Sequence, residues 1–287
     1  TGVNSVGGDF IMDGDNTTST TTVVGNPIDP VFSIGGDMII NAGNTFAATN
    51  GSPTLIVQGN TSISGKVTSP GGGKFFYGDF TINAGGSWTE PDPAVSPAYN
   101  MYGNVTNNGT FNLVSPTISM RLAGSGKTIN GTITVGLLWT LSGSSYTNTG
   151  NLTVGSITDP GTLTQAEEAV LTVTNTITSN VNLDASATDN TVNYTGTDQT
   201  IKTAEYYNLN LGGSGTKSFI SGNYTVDGGR TVGSGVTMDA TATGIAIDLK
   251  GDFTNNGTVT PGTSTVSFTG SAAQTIGGSS ATSVYNL

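Results

Sequence analysis

The chain has 287 residues, among them 43 glycines, no cysteine and no histidine, and 9% of its residues are charged. Its formal net charge is −11, with 8 Lys and Arg against 19 Asp and Glu, so there are few cations to neutralise phosphates and nucleic acid is not an expected partner. The lack of cysteine removes disulfides, thiolate chemistry and cysteine-type metal sites together, and no run approaches the ~18 apolar residues of a membrane-spanning helix.

In chain order, one short triplet recurs: Gly, then Asp or Asn, then an apolar residue. It stands at Gly8-Asp9-Phe10, Gly36-Asp37-Met38, Gly78-Asp79-Phe80, Gly103-Asn104-Val105, Gly150-Asn151-Leu152, Gly222-Asn223-Tyr224 and Gly251-Asp252-Phe253. With degenerate turns inside the longer gaps, the spacing reduces to a period of about 21–29 residues, which falls in the range of solenoid repeats. Between triplets lie short β-branched runs such as Leu55–Val57, Phe80–Ile82 and Thr132–Val135, which read as strands. Leu171 through Leu183 alternates apolar residues with threonines and predicts one long strand. Thr164–Val170, with Gln165, Ala166, Glu167 and Glu168, is the single candidate for a helical turn. Asn-Gly, Asp-Gly and Gly-Gly pairs between runs supply the positive φ of tight corners.

Longer phrases repeat as well. Thr254-Asn255-Asn256-Gly257-Thr258 restates Thr106-Asn107-Asn108-Gly109-Thr110, and Tyr285-Asn286-Leu287 restates Tyr207-Asn208-Leu209. Thr117-Ile118-Ser119-Met120, Thr191-Val192-Asn193-Tyr194 and Thr265-Val266-Ser267-Phe268 are evenly spaced. That spacing predicts three turns of about 25 residues, with Ile118, Val192 and Val266 at equivalent inward positions. The expected fold is all-β: a parallel β-solenoid forming one domain over 1–287, irregular through 1–102 and clearer over 103–287. Tandem β-sandwiches are the alternative, but they call for turn signals every ~8–12 residues and a heavier aromatic core.

The order Gly-Asp-Phe-Thr-Asn-Asn-Gly-Thr, then Thr-Val-Ser-Phe-Thr-Gly, Gln-Thr-Ile-Gly-Gly and Tyr-Asn-Leu over Lys250–Leu287 resembles the repeat of large secreted surface proteins of Bacteroidota. More loosely, it is similar to passenger regions of adhesins and autotransporters. The resemblance implies a β-helical protein at the cell surface or outside the cell, without catalysis.

A β-helical polysaccharide lyase or hydrolase would need clustered carboxylates as acid and base. The candidates are Asp13 and Asp15, Glu90 and Asp92, and Glu167-Glu168; none neighbours an Arg or Lys, and none recurs at the turn period. Asp13 and Asp15 are also the metal candidates, for a structural calcium, which needs six or more oxygens. No other cofactor is expected.

Solenoids expose strand edges at both ends unless these are capped, and neither end of this sequence carries a cap-like segment. Val3, Val6 and Phe10 at one end, and Val284, Tyr285 and Leu287 at the other, are therefore expected at joints between copies. The function expected is that of a structural extracellular subunit assembling end to end with itself. A monomeric adhesin or stalk binding glycans or surfaces is the second expectation, and a secreted polysaccharide enzyme the third.

Overall fold

Alternation of an apolar residue with Thr, Ser or Asn sends one side chain inward and the next outward along each short run. The computed structural model describes residues 3–14, 20–23, 31–48, 53–69, 71–90, 97–113 and 118–287. It is an all-β, parallel β-solenoid, and every strand pairing given below is parallel. Its contacts divide into two compact units, Thr1–Tyr146 and Thr147–Leu287.

In the first unit, three strands per turn stack into three columns. One column runs through Val3–Val6, Val31–Ile34, Thr54–Val57, Lys74–Phe76, Ala98–Met101 and Ser119–Leu122. A second runs through Phe10–Met12, Met38–Ile40, Thr61–Ile63, Phe80–Ile82 and Val105–Asn107. The third takes Thr20–Val23, Thr45–Ala48, Lys66–Thr68, Ser87–Thr89 and Thr110–Leu113. The second unit repeats the scheme. Its first column contains Asn151–Thr158, Val170–Ile177, Thr191–Tyr194, Asn208–Leu211, Arg230–Val232 and Phe253–Asn255. Asn182–Asp184, Glu205–Tyr206, Gly222–Val226, Ile245–Leu249 and Thr265–Phe268 form another, joined by a bridge from Ala185 to Tyr206. Only one face of each strand is interior, so the sheets keep the clean alternation that parallel sheets covered on both faces lose. Ile34, Ile40, Val57, Ile63, Phe76 and Ile82 are fully buried in the first unit, as are Val154, Leu171, Val192, Leu209 and Val232 in the second.

The turns are shorter than expected. Thr191 pairs with Asn208, 17 residues on, and Ser119 with Leu137, 18 residues on. Three short strands and their corners need no more chain than this, so the lower bound of about 21 fails. The evenly spaced phrases are not equivalent either. Val192 pairs with Leu209 in one column, whereas Val266 pairs with Ile247 in another. Ile118, Met120, Val192, Tyr194 and Val266 are nevertheless buried, because any strand position of the same parity meets the interior. Phe268 is half-buried.

Leu171–Leu183 is not one strand. Val170–Ile177 ends before a turn, Asn182–Asp184 follows, and alternation already lapses at Asn175, which is exposed like Thr174 before it. A corner requires two successive residues to leave the pleat, and the threonine repeat conceals it. Nor is Thr164–Val170 helical. Thr162–Gln165 is a strand, and Glu168, at φ 61°, makes the turn into the next.

Candidate functional site

The recurring Gly-Asp or Gly-Asn triplet is a device for joining turns. In the first unit the side-chain oxygen of each Asp or Asn accepts the backbone N–H of its counterpart one turn later. Asp37 N donates to Asp9 Oδ1 at 2.8 Å, Asn60 N to Asp37 Oδ1 at 2.6 Å, Asp79 N to Asn60 Oδ1 at 2.9 Å and Asn104 N to Asp79 Oδ1 at 2.8 Å. Thr128 N continues the ladder to Asn104 Oδ1 at 2.9 Å. The preceding glycines stack too closely for a side chain: a Cβ on Gly103 would lie 2.3 Å from the Gly78 carbonyl oxygen. Gly59-Asn60-Thr61 is the degenerate triplet hidden in the long gap between Gly36 and Gly78. In the second unit Thr275 N donates to Asp252 Oδ1 at 2.8 Å, and this bond, together with one from the Thr275 side chain, holds the Asp252 carboxyl below its usual range. The triplets at Gly150 and Gly222 instead open the strands Asn151–Thr158 and Gly222–Val226.

The Thr-Asn-Asn-Gly-Thr repeats form a second joint. Asn107 and Asn255 are buried, each accepting the N–H of the glycine two residues on (3.2 and 3.1 Å). Each also donates to the next turn, Asn107 Nδ2 to Thr132 O at 2.5 Å and Asn255 Nδ2 to Ala281 O at 2.8 Å. Gln199 and Gln274 span turns in the same manner, Gln274 Nε2 donating to Leu249 O and Gly251 O, both at 2.8 Å.

Three cations are buried at or beneath corners, and none of them was evident in the sequence. Lys217 Nζ donates to Gly196 O, Thr197 O and Ser214 O at 2.6–2.8 Å. Lys74 Nζ donates to Pro53 O, Gly71 O and Gly72 O. Burial pushes Lys74 down to about 8, with nearby Glu90 opposing. Arg230 is fully buried among Phe219 and Phe253, whose ring centroids lie 4.9 and 5.1 Å from its guanidinium carbon. Burial pushes it down to about 9, and its Nε and Nη1 have no hydrogen-bond partner.

Among the expected acid–base residues, Glu90 sits in a defined network. Its carboxylate accepts from Gly71 N at 3.1 Å and from Tyr99 Oη at 3.3 Å, while Trp88 Nε1 donates to Tyr99 Oη at 3.1 Å. Burial, then the Glu90 charge, raises the Tyr99 hydroxyl well above its ordinary pKa. Lys74, with three carbonyls on its ammonium, has no lone pair to offer as a base, and the cluster works as a corner clamp. Asp13 is exposed and accepts from Asn41 Nδ2 at 3.1 Å; Asp15 and Asp92 lie outside the described residues. Glu167 and Glu168 are exposed on their turn. No group of three or more His, Cys, Asp or Glu able to hold a metal occurs among the described residues, and no helix among them is long and apolar enough to cross a membrane.

Of the expected joint residues, Val3 lies in the first strand, where its side chain is outside the description, and Val6 is half-buried. Phe10 packs edge-on against Phe32 and Phe46, both at 5.6 Å. At the other end Val284 is half-buried, whereas Tyr285 and Leu287 are 62% and 79% exposed. Two lateral features also stand out in the first unit. Arg121 lies over Trp139 at 4.7 Å on outward-facing positions of adjacent strands, and Tyr77 stacks on Tyr102. The second pair had a sequence signal: Tyr-Gly-Asp and Tyr-Gly-Asn at successive triplets.

No family model, no curated protein and no solved structure matches this chain.

Proposed function

We propose that the chain is a structural, non-catalytic β-solenoid of the extracellular or cell-surface type, joining copies of itself end to end into a filament. The observation that carries this reading is the open last turn of the second unit. Thr258–Thr260 and Ile276–Gly277 each pair on one side only, with strands of the turn before. Ile276, Tyr285 and Leu287 are exposed there, at 51%, 62% and 79%. A β edge of this kind offers unpaired N–H and C=O groups to a second edge at the same strand spacing. A head-to-tail contact that does not close produces fibres. The corner clamps and ladders support a structural role, since the charged and amide side chains in them are engaged in joining turns.

Sedimentation velocity and negative-stain imaging test the proposal. The intact chain is expected to grow in mass with concentration, and Ile276→Lys/Leu287→Lys to stay monomeric with an unchanged far-UV circular dichroism spectrum. An intact chain that stays monomeric at high concentration overturns the assembly reading. Depolymerisation of a polysaccharide by the purified chain, lost in Glu90→Gln, overturns the non-catalytic one. A monomeric adhesin binding glycans is the second reading, favoured by Arg121 and Trp139, which combine a cation and an aromatic surface on an outer face.

A further inference from the structure

We propose that Tyr77 and Tyr102 form an oxidative cross-linking site, a dityrosine staple between consecutive turns of the first unit. The rings lie 4.5 Å apart between centroids and 17° from parallel, close to the ~4.8 Å spacing of the strands that carry them. Their backbones are locked in register on both sides. Tyr77 N donates to Val57 O and Tyr102 N to Phe76 O, both at 3.0 Å. The glycines that follow are in contact, and Asn104 grips Asp79 through its backbone N at 2.8 Å and its Nδ2 at 3.1 and 3.2 Å.

Accessibility singles out this pair. Of the nine tyrosines, Tyr99, Tyr146, Tyr194, Tyr206 and Tyr224 are buried, while Tyr77 is 43% exposed and Tyr102 half-buried. Tyr207 and Tyr285 are the other accessible ones, and neither has an aromatic ring stacked on it among the described residues. A sugar-binding platform would need a free ring face, whereas here each ring turns a face to the other, the arrangement that coupling requires.

The oxidant is hydrogen peroxide acting through a haem peroxidase. Each phenol gives up one electron and its hydroxyl proton, leaving two phenoxyl radicals. Their unpaired electrons form a new carbon–carbon bond between the Cε atoms ortho to the hydroxyls. Each of those carbons then releases its hydrogen as a proton, and each oxygen regains one. Two hydrogens leave in all, and one peroxide is reduced to two waters. In a chain without cysteine, this bond would take the place a disulfide holds elsewhere, joining turns covalently. The site is independent of end-to-end assembly, because it lies on the side of the first unit and couples within one chain.

The test treats dilute intact chain with peroxidase and hydrogen peroxide, then reads intact mass, dityrosine fluorescence and the cross-linked peptides. The expected result is a monomer lighter by two hydrogens, with Tyr77 joined to Tyr102. Tyr102→Phe preserves the stack and should lose the cross-link and the fluorescence, while Tyr285→Phe should keep both. The proposal is overturned if the intact chain keeps its full mass under conditions that couple free tyrosine. It is equally overturned if coupling maps to Tyr207 or Tyr285, or if Tyr102→Phe couples as well as the parent.

Discussion

Replacing Arg230 by methionine should stabilise the protein, although it removes a side chain with many neighbours. The guanidinium is fully buried with no carboxylate beside it, and burial pushes it down to about 9. At ~1.4 kcal/mol per tenfold change in the proton equilibrium, holding the charge there costs about 4–5 kcal/mol. The two phenylalanine rings return ~1–2 kcal/mol each at this desolvated site. Methionine fills similar space, keeps the contact with Phe219, Met238 and Phe253 apolar, and leaves no donor unsatisfied. A net gain of about 1–3 kcal/mol follows, in line with other replacements of buried charge by apolar residues. Guanidinium chloride unfolding followed by circular dichroism measures it, and hydrogen exchange at Thr231 and Val232 localises it. The pH dependence supplies a second check. The folded value lies below the unfolded one, so the parent's deficit is full below pH 9 and shrinks as pH rises above it. The advantage of Arg230→Met should therefore narrow between pH 8 and pH 10. A variant less stable than the parent by ~1 kcal/mol or more would refute the reasoning, since it would mean that the guanidinium is held by contacts stronger than its desolvation.

Two further outcomes are expected. Gly103→Ala places a Cβ 2.3 Å from the Gly78 carbonyl oxygen, and should lower stability by about 1–3 kcal/mol in the same unfolding assay; a neutral result would mean that adjacent turns can separate at no cost. Burial raises the hydroxyls of Tyr146 and Tyr194 to about 12, above an unfolded value of ~10. The stability they contribute is full below pH 10 and is lost as pH climbs toward 12, so unfolding and the rise in tyrosinate absorbance should coincide in that window.

The sequence made the architecture readable through its triplets, because Gly-Asp and Gly-Asn mark where turns touch and both residue types are dictated by that contact. Turn length was less legible. The solenoid requires each turn to reach the next joint, and the path between can take 17 residues or 28. Equivalence of phrases misled for a related reason: Thr-Val-Asn-Tyr and Thr-Val-Ser-Phe suit any column, since each column asks only for alternation. The buried cations were hidden because Lys74, Lys217 and Arg230 occupy positions of apolar parity, and only the nearby carbonyls and rings explain their presence. At the site level, the pairing of Tyr77 with Tyr102 was visible in principle as a residue repeated before successive triplets. The role of Glu90 was not, because its partners Gly71 and Tyr99 come from the neighbouring turn and from the strand that follows it.

The ladder of Asp and Asn side chains has a direction. Each oxygen reaches forward to an N–H that comes later in the chain, so Asp9 receives Asp37, Asp37 receives Asn60, and none of these bonds runs backward. Any turn bearing a triplet therefore presents an acceptor on one side and a donor on the other, identical in kind to those of its neighbours. A turn lifted out whole would let Asp37 receive Asp79 with the same atoms that now receive Asn60, and a duplicated turn would slot in by the same contact. Such a chain can gain or lose turns without redesigning an interface, and its growth in length over evolutionary time would resemble copying a link in a chain that already knows which way it points.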